Sequence, residues 1–529
     1  MGIELNRVRG RKHVAWLNLE PDSEARRILE EREYLVARCT EDHLRDPAYL
    51  AGLTAVVFSQ SAEKPTRIGR ELQSHARRLL DYDCRIIVRP SALGATIAEN
   101  VIASLRLPTV GLPAAVADPK EGEPPLPCVR YFDIAAPWGS VANFITGSPA
   151  DPPPNAALKI VIDDRIDAVG KRTKCELRDE LDLLVRRAFA DCAHVHLVPM
   201  DDGHSGVSVY RAYAELAGGL EGLWPQPYFI KLGDRAKVLH EYKIYEENVD
   251  PYVPFHLGPH LIRGRCCLGA KDGILVGDYV EESESLRDCA CTGRSATAIA
   301  CLFDRTLVGW HRQARQVSQS LSAGLMAKFP FIHNASPRMR RARELGATRS
   351  VKTLKKLFRR CTSQPVLVGP IHGDLHAANV RVRASDAILI DFAAHRNLPL
   401  VFDAACLEAS LLIEGFAGDH RDAQEWLKSV EDLYSAPVLD AVRAHPNPKD
   451  RSFWFLTSVR QIRRYARQWE CGKDQYAAAL ALALLIKASK DPSVPEPEGS
   501  RRAGAYVLAE RVLSSTFGAP AVHEASVAS

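Results

Sequence analysis

With 529 residues the chain is too long for one ordinary core, and two or three domains are expected. Hydrophobic residues at 46% and charged residues at 25% are the shares of a globular protein with a sizeable core. Sixty-nine Lys and Arg against 65 Asp and Glu leave a formal charge of +4, which gives no argument for nucleic acid or an anionic membrane as main partner. The thirteen cysteines are odd in number and scattered. Neither Cys266-Cys267 nor Cys289/Cys291 is a CxxC, and adding His256 and His260 matches no standard metal-ligand spacing, so reduced, mostly buried thiols are expected. Met1–Lys12 has no apolar core of a signal peptide, and Ala477–Ile486 falls short of the ~20 residues that span a bilayer. That run reads as a buried helix and the protein as cytoplasmic.

The first hundred residues alternate short apolar runs with helical patterns. His13–Leu19, Ala55–Phe58 and Cys84–Val88 are strand candidates, Tyr34–Cys39 is apolar, and Thr109–Leu112 closes the series. Between them, Ser23–Arg32 is helix-like, and Arg67–Leu80 places Ile68, Leu72, His75, Ala76 and Leu79 on one face. Strands alternating with helices imply a parallel sheet covered on both sides. The order and size resemble a response-regulator receiver or similar flavodoxin-like domain. A receiver's acceptor Asp would end the central strand, where this chain has Ser59-Gln60, and its acidic pair would follow the first strand, where only Asn18 and Glu20 stand. The resemblance therefore implies a degenerate domain, used for contacts with a protein partner rather than as a phosphoacceptor.

Pro113–Pro127 and Ser148–Asn155 are proline-rich and lack hydrophobic periodicity, so a linker is expected over 113–155. Glu176–Ala190 resumes as an amphipathic helix with Leu177, Leu181, Leu184 and Ala188 on one face. A small β-rich lobe follows. His194–Met200 and Val207–Ala212 flank a glycine-containing turn, Tyr228–Leu232 is a strand, Arg235–Val249 a helix, and Gly273–Val280 another strand. After Asp403 nearly everything reads as helical.

The chemistry concentrates in Ile371–Phe392, IHGDLHAANVRVRASDAILIDF. Asn379–Val382 and Ala387–Ile390 read as two strands joined at Ser385-Asp386, a hairpin that brings its ends together. Asp374 and Asn379 lie at one end and Asp391 at the other. Hard oxygen ligands converging in this way suit Mg²⁺, and a carboxylate able to orient a hydroxyl is what phosphoryl transfer needs. Asp374 stands five positions before Asn379, the spacing of H-x-D-x-x-x-x-N.

HGDLHAAN followed by LIDF resembles the aminoglycoside phosphotransferase and choline kinase branch of the protein-kinase-like fold. The resemblance implies Asp374 as catalytic base, Asn379 and Asp391 as metal ligands, and structural roles for His372 and for Asp403, which would brace the loop and cap its own helix. Upstream, Gly203, Ser205 and Gly206 in DGHSGV resemble the branch's short phosphate loop, although a plain hairpin turn explains them as well. Lys231 in PYFIKLGD occupies the place of the phosphate-binding lysine. Glu241 is its natural partner, with Glu246 and Glu247 as competitors. Gly277, Asp278, Tyr279 and Val280 form the candidate hinge for adenine. The GHSGVSVYR, FIKLGD and HEYKIYEENV segments are similar to a bacterial group called ternary complex associated domains, which implies a signalling or conflict system.

The expected whole is an α/β flavodoxin-like (receiver-like) domain at 1–112, the linker at 113–155, and an α+β bilobal protein-kinase-like domain. That domain has its β-rich lobe at 156–283 and its helical lobe at 284–529. The expected reaction is ATP- and Mg²⁺-dependent transfer of the γ-phosphoryl group to a hydroxyl. The sequence does not name the acceptor. A nucleotide-binding pseudokinase scaffold that recruits partners is the alternative. Ala393 stands where glycine usually follows IDF, which stiffens the metal loop but leaves every ligand in place. Arg460, Arg463, Arg464 and Arg467 fall on an amphipathic helix that could face an anionic or protein acceptor or simply be a solvated basic face.

Overall fold

The computed structural model describes residues 12–59, 66–90, 92–107, 109–110, 129–132, 134–146, 153–166, 172–200, 207–217, 227–334, 336–415, 423–435, 437–440, 453–489 and 498–518. It divides into two compact units, Met1–Lys243 with His260–Glu281, and Ile244–Pro259 with Glu282–Ser529.

The first unit begins with a parallel sheet whose strands are His13–Leu17, Leu35–Cys39, Leu53–Ser59, Arg85–Arg89, Thr109–Val110 and Val129–Tyr131. In chain numbering their order is second, first, third, fourth, sixth, fifth, and every pairing is parallel. The central LTAVVFS strand is buried on both faces, which is why it reads as a continuous apolar run instead of an alternating one. Helices Thr66–Asp81 and Ala92–Leu105 close one face over Leu17, Val56, Phe58 and Ile86. Ser23–Glu30 and Trp138–Thr146 close the other over Trp16, Val57 and Ile87. Asp22 caps the first of these helices through its carboxylate, which accepts from Glu24 N and Ala25 N.

Two elements correct the expected linker at 113–155. Val129–Tyr131 pairs with Arg85–Arg89, and Trp138–Thr146 packs in the same core. The short Thr109–Val110 lies at the edge beyond Val129–Tyr131 and does not close the series beside Arg85–Arg89. The short VRY and the WGSVANFIT segments lie between two proline-rich flanks, which mask them in composition.

The unit also holds a second six-stranded sheet, in the order Cys267–Leu268, Asp272–Asp278, Tyr228–Asp234, Ser208–Leu216, Cys192–Pro199 and Lys159–Ile162, and a two-stranded one, Arg165–Ile166 with Arg172–Thr173. Within the six-stranded sheet only the last pairing is parallel. Alternating residues such as Val195, Leu197, Ala212, Ile230, Leu232, Ile274 and Val276 share a core with Leu184, Val185 and Ala188 of helix Asp179–Ala188. Arg187 of that helix is buried and donates at 2.9 Å both to Asp81 O and to Leu268 O. Ala270 N in turn donates to Asp81 Oδ1 at 2.8 Å. The end of one parallel-sheet helix is thereby bonded to the antiparallel sheet.

The second unit is mainly helical. Two three-stranded sheets sit in it, Glu284–Ser285 with Val380–Arg383 and Asp386–Leu389, and Arg315–Val317 with Val366–Ile371 and Arg396–Pro399. Helices Val401–Ser410, Phe453–Trp469, Gln475–Ser489 and Glu498–Phe517 form the body. Gln475–Ser489, which carries the apolar run, is buried along nearly its whole length. Among the described residues no helix is long and apolar enough to cross a membrane. Arg463 is buried rather than presented on a basic face. Its guanidinium is bidentate to Glu408 at 2.9 and 2.6 Å and donates to Val438 O and Leu433 O. Charge alone could not reveal this, because its partners come from distant parts of the chain.

Candidate functional site

In the second unit, strand Val366–Ile371 delivers the chain to His372, and the backbone turns at Gly373 with φ +80°. Glycine reaches this left-handed region without steric cost. Space demands it too, since a Cβ at 373 would lie 2.3 Å from Ala394 O. The Asp403 carboxylate, fully buried, accepts from His372 N at 2.7 Å and from Gly373 N at 2.9 Å. Helix Val401–Ser410 has Leu400 at its N-cap, so Asp403 braces the loop and does not cap its own helix, which corrects one half of the expectation. Burial raises the Asp403 pKa, against the pull of His372 and the two N–H bonds.

His372 Nε2 donates to Ile390 O at 3.0 Å, and its Nδ1 has no hydrogen-bond partner among the described residues. Ile390 N donates to Asn379 O at 2.9 Å, and Asn379 Nδ2 to Asp374 O at 3.2 Å. Asp403, His372, Gly373, Asp374, Asn379 and the residue before Asp391 thus belong to one hydrogen-bonded frame. Ser410 Oγ accepts from Ala377 N at 3.0 Å and secures the middle of the loop. The Asp374 side chain is 48% exposed, with His376 Nε2 4.0 Å from its Oδ2, so it is held by its backbone while its carboxylate stays reachable.

The hairpin expected at Asn379–Ile390 is present as Val380–Arg383 paired with Asp386–Leu389. Asp391, just beyond it, is exposed and has φ +64°. A non-glycine residue in that region costs of order 1–3 kcal/mol, and such strain concentrates at functional sites. Phe392 holds the turn. Its ring is buried against Tyr245, Trp310 and His372, with centroids 5.1, 5.9 and 5.7 Å away.

The Asp391 carboxylate and the Asn379 amide oxygen are hard donors of the kind Mg²⁺ takes. Since Asn379 Nδ2 is committed to Asp374 O, Oδ1 is the atom left to coordinate. Among the described residues no group of three or more His, Cys, Asp or Glu could hold a metal. An ion held by these two side chains would need phosphate and water for its other positions, which is the usual habit of Mg²⁺.

In the first unit, Lys231 Nζ lies 2.6 Å from Glu241 Oε1, with side chains 14% and 8% exposed. Strand Tyr228–Asp234 carries the lysine, and helix Arg235–Ile244 the glutamate. Of the candidate hinge, Gly277 lies next to the end of strand Asp272–Asp278, so close to its neighbours that a Cβ would meet Phe229 at 2.4 Å and His260 O at 2.7 Å. Asp278 N donates to His260 O at 3.0 Å and Tyr279 N to Pro227 O at 3.1 Å, so these two donors are committed inside the unit. Val280 follows directly. Gly203, Ser205 and Gly206 lie outside the described residues.

Ser59 ends the central parallel strand. Beside the first strand, Asn18 takes φ +59° and its Nδ2 donates to Glu71 Oε1 at 3.0 Å, while Glu20 lies 3.5 Å from Arg38. Gln60 lies outside the described residues. Sequence reasoning missed Lys328 and Arg396. Lys328 Nζ donates to Gly373 O at 3.3 Å, and Arg396 Nε to Ala394 O at 3.1 Å. Neither belongs to a motif, and only the fold brings them to the loop.

No protein-family model matches the chain, and no curated protein matches it. It is similar to several solved structures. One is the ternary complex of a thermostable mutant of the aminoglycoside phosphotransferase APH(4)-Ia with AMP-PNP and hygromycin B, at 11% identity and TM-score 0.35, covering 61% of this chain and 94% of that one. An amicoumacin kinase in complex with AMP-PNP and Ca²⁺ matches at 13% identity and TM-score 0.33, over 61% and 90%. An aminoglycoside phosphotransferase from Streptomyces rimosus matches at 17% identity and TM-score 0.27, over 53% and 96%. Similarity at this level carries no activity over to this chain.

Proposed function

We propose that this chain is an ATP- and Mg²⁺-dependent phosphotransferase of the protein-kinase-like, aminoglycoside phosphotransferase type, acting on a hydroxyl. The observation that carries the reading is the single hydrogen-bonded frame joining Asp403, His372, Asp374, Asn379 and Ile390. A frame of this kind holds a half-exposed carboxylate and two oxygen ligands in register, which positioning catalysis requires.

In this reading Asp374 accepts the hydroxyl's hydrogen bond and takes its proton as the phosphoryl group is transferred. Lys231, held by Glu241, neutralises nucleotide phosphate. Asn379 and Asp391 would hold Mg²⁺, which when bound supplies charge neutralisation at the β- and γ-phosphates. The Gly203, Ser205 and Gly206 loop is assigned to phosphate and Gly277–Val280 to adenine. With Asp278 and Tyr279 N–H committed, carbonyl groups of that segment would read the base. The parallel-sheet domain is a degenerate receiver-like module that docks a protein partner, in a cytoplasmic bacterial signalling or conflict system.

The pseudokinase scaffold is favoured by one observation, the engagement of those two hinge donors inside the protein. Incubating the full chain with γ-labelled ATP, Mg²⁺ and a native lysate tests the main reading. Label transferred by wild type and lost in Asp391→Ala is expected. No label with wild type, under conditions where ATP binds, leaves the scaffold.

A further inference from the structure

Gly373 and Ala394 touch, and each carbonyl carries a cation. Lys328 Nζ donates to Gly373 O at 3.3 Å, and Arg396 Nε donates to Ala394 O at 3.1 Å. The closeness of the two backbones is set by the missing Cβ at Gly373, which would lie 2.3 Å from Ala394 O. Among the described residues no carboxylate lies within ion-pair distance of either cation, whereas Arg463, Arg265 and Arg187 in this chain all have one. The Lys328 amine is half-buried over the Phe402 ring, 5.9 Å from its centroid, and Arg396 is exposed. Carbonyl oxygens solvate a cation but do not neutralise it. Burial and then the Arg396 guanidinium lower the Lys328 pKa, as expected of two like charges kept together. Cys406, Asp374 and Asp403 act in the opposite direction. Asp403 is already engaged with His372 N and Gly373 N.

The geometry points to an anion subsite, formed by Lys328 and Arg396 beside Asp374, that takes a phosphate or carboxylate group of the phosphoryl acceptor. The inference rests on the phosphotransferase reading and names its substrate class, an anionic hydroxyl compound or side chain. A polycationic acceptor would meet two unneutralised positive charges next to the base, and a neutral one would gain nothing from them. An anion instead receives charge-assisted hydrogen bonds from an ammonium and a guanidinium.

Inorganic phosphate is the probe. Its binding to the full-length protein is measured by calorimetry with and without saturating Mg²⁺ and AMP-PNP, for wild type, Lys328→Met, Arg396→Met and the conservative pair Lys328→Arg and Arg396→Lys. Phosphate is expected to bind both in the absence and in the presence of the nucleotide analogue. Each Met variant should weaken it at least tenfold, while Lys328→Arg or Arg396→Lys keeps most of the affinity. Phosphate displaced by the analogue overturns the inference, because the cations would then serve the nucleotide. Unchanged phosphate binding in both Met variants, with the analogue still bound, also overturns it and leaves the phosphotransferase reading intact. Failure of wild type to bind the analogue sinks the parent reading itself. Arg396 is exposed, so its variants keep the test readable where Lys328→Met loses its fold.

Discussion

Lys231 Nζ and Glu241 Oε1 meet at 2.6 Å with both side chains largely out of water. A strand and the helix that follows it must hold their places for this pair to form, and breaking a nearly buried pair by removing one partner costs about 3–5 kcal/mol. Lys231→Met should therefore unfold at clearly lower urea and transfer phosphoryl orders of magnitude more slowly. The double variant Lys231→Met/Glu241→Met should recover most of the stability and none of the transfer. Denaturant midpoints and γ-phosphate transfer, measured side by side, separate the two effects. Transfer restored in the double variant would take Lys231 out of the nucleotide site.

Asp403 accepts two backbone N–H groups in a fully buried position. Asp403→Ala strands both donors at about 1–3 kcal/mol each, so a loss of about 2–6 kcal/mol is expected, together with loss of transfer. Gly373→Ala attacks the same loop from the other side, through its φ of +80° and the 2.3 Å approach to Ala394 O. It should cost at least about 2 kcal/mol and displace Asp374. Unfolding curves check both. Wild-type stability in either variant would contradict the bracing described.

Asp81 ties the parallel-sheet domain to the antiparallel sheet through Ala270 N and Arg187. Burial pushes its carboxyl up from 3.8 to about 6, while the Ala270 bond and Arg187 pull it down. A folded pKa above the unfolded one means that the stabilising contribution is complete below about pH 4 and lost as pH rises through about 6. From this group alone the first unit should be about 1–3 kcal/mol less stable at pH 7 than at pH 4. Asp81→Asn keeps an acceptor for Ala270 N and removes the charge, so the slope between those pH values should shrink. An unchanged slope in urea titrations would show that Asp81 is ionised at little cost.

How much of this was legible in the sequence varies with distance along the chain. The loop segment is local: 22 residues, Ile371–Phe392, contain the hairpin together with Asp374, Asn379 and Asp391, so the hairpin was readable from the pattern, whereas the turn at Gly373 was not read. Lys231 and Glu241 are ten apart and were readable as a pair, although Glu246 and Glu247 could not be excluded. What required folding was everything contributed from afar. Glu408 lies 55 positions from Arg463, and a four-arginine helix face looks basic until that carboxylate is placed inside it. Lys328 lies 45 positions from Gly373 and belongs to no motif. Val129–Tyr131 was hidden for a different reason. Three residues between proline-rich flanks give no period, and only the open edge of Arg85–Arg89 makes them a strand.

Enzyme and scaffold part at Asp374. Its backbone oxygen accepts from Asn379 Nδ2, while its carboxylate is 48% exposed. The bond to Asn379 is made by the main chain of residue 374, and Asp374→Asn should keep the fold, the Asn379 bond and the nucleotide affinity. The variant lacks a group that can take the proton of an attacking hydroxyl. General-base assistance is worth roughly 10²–10⁴-fold, and the orientation of the hydroxyl suffers as well. Transfer measured with γ-labelled ATP should fall by at least about two orders of magnitude while AMP-PNP binding stays within about twofold. A phosphotransferase should lose its cellular effect in this variant, and a scaffold that only senses nucleotide should keep it. Full biological activity of Asp374→Asn, with normal nucleotide binding, would sink the phosphotransferase reading and the anionic acceptor with it.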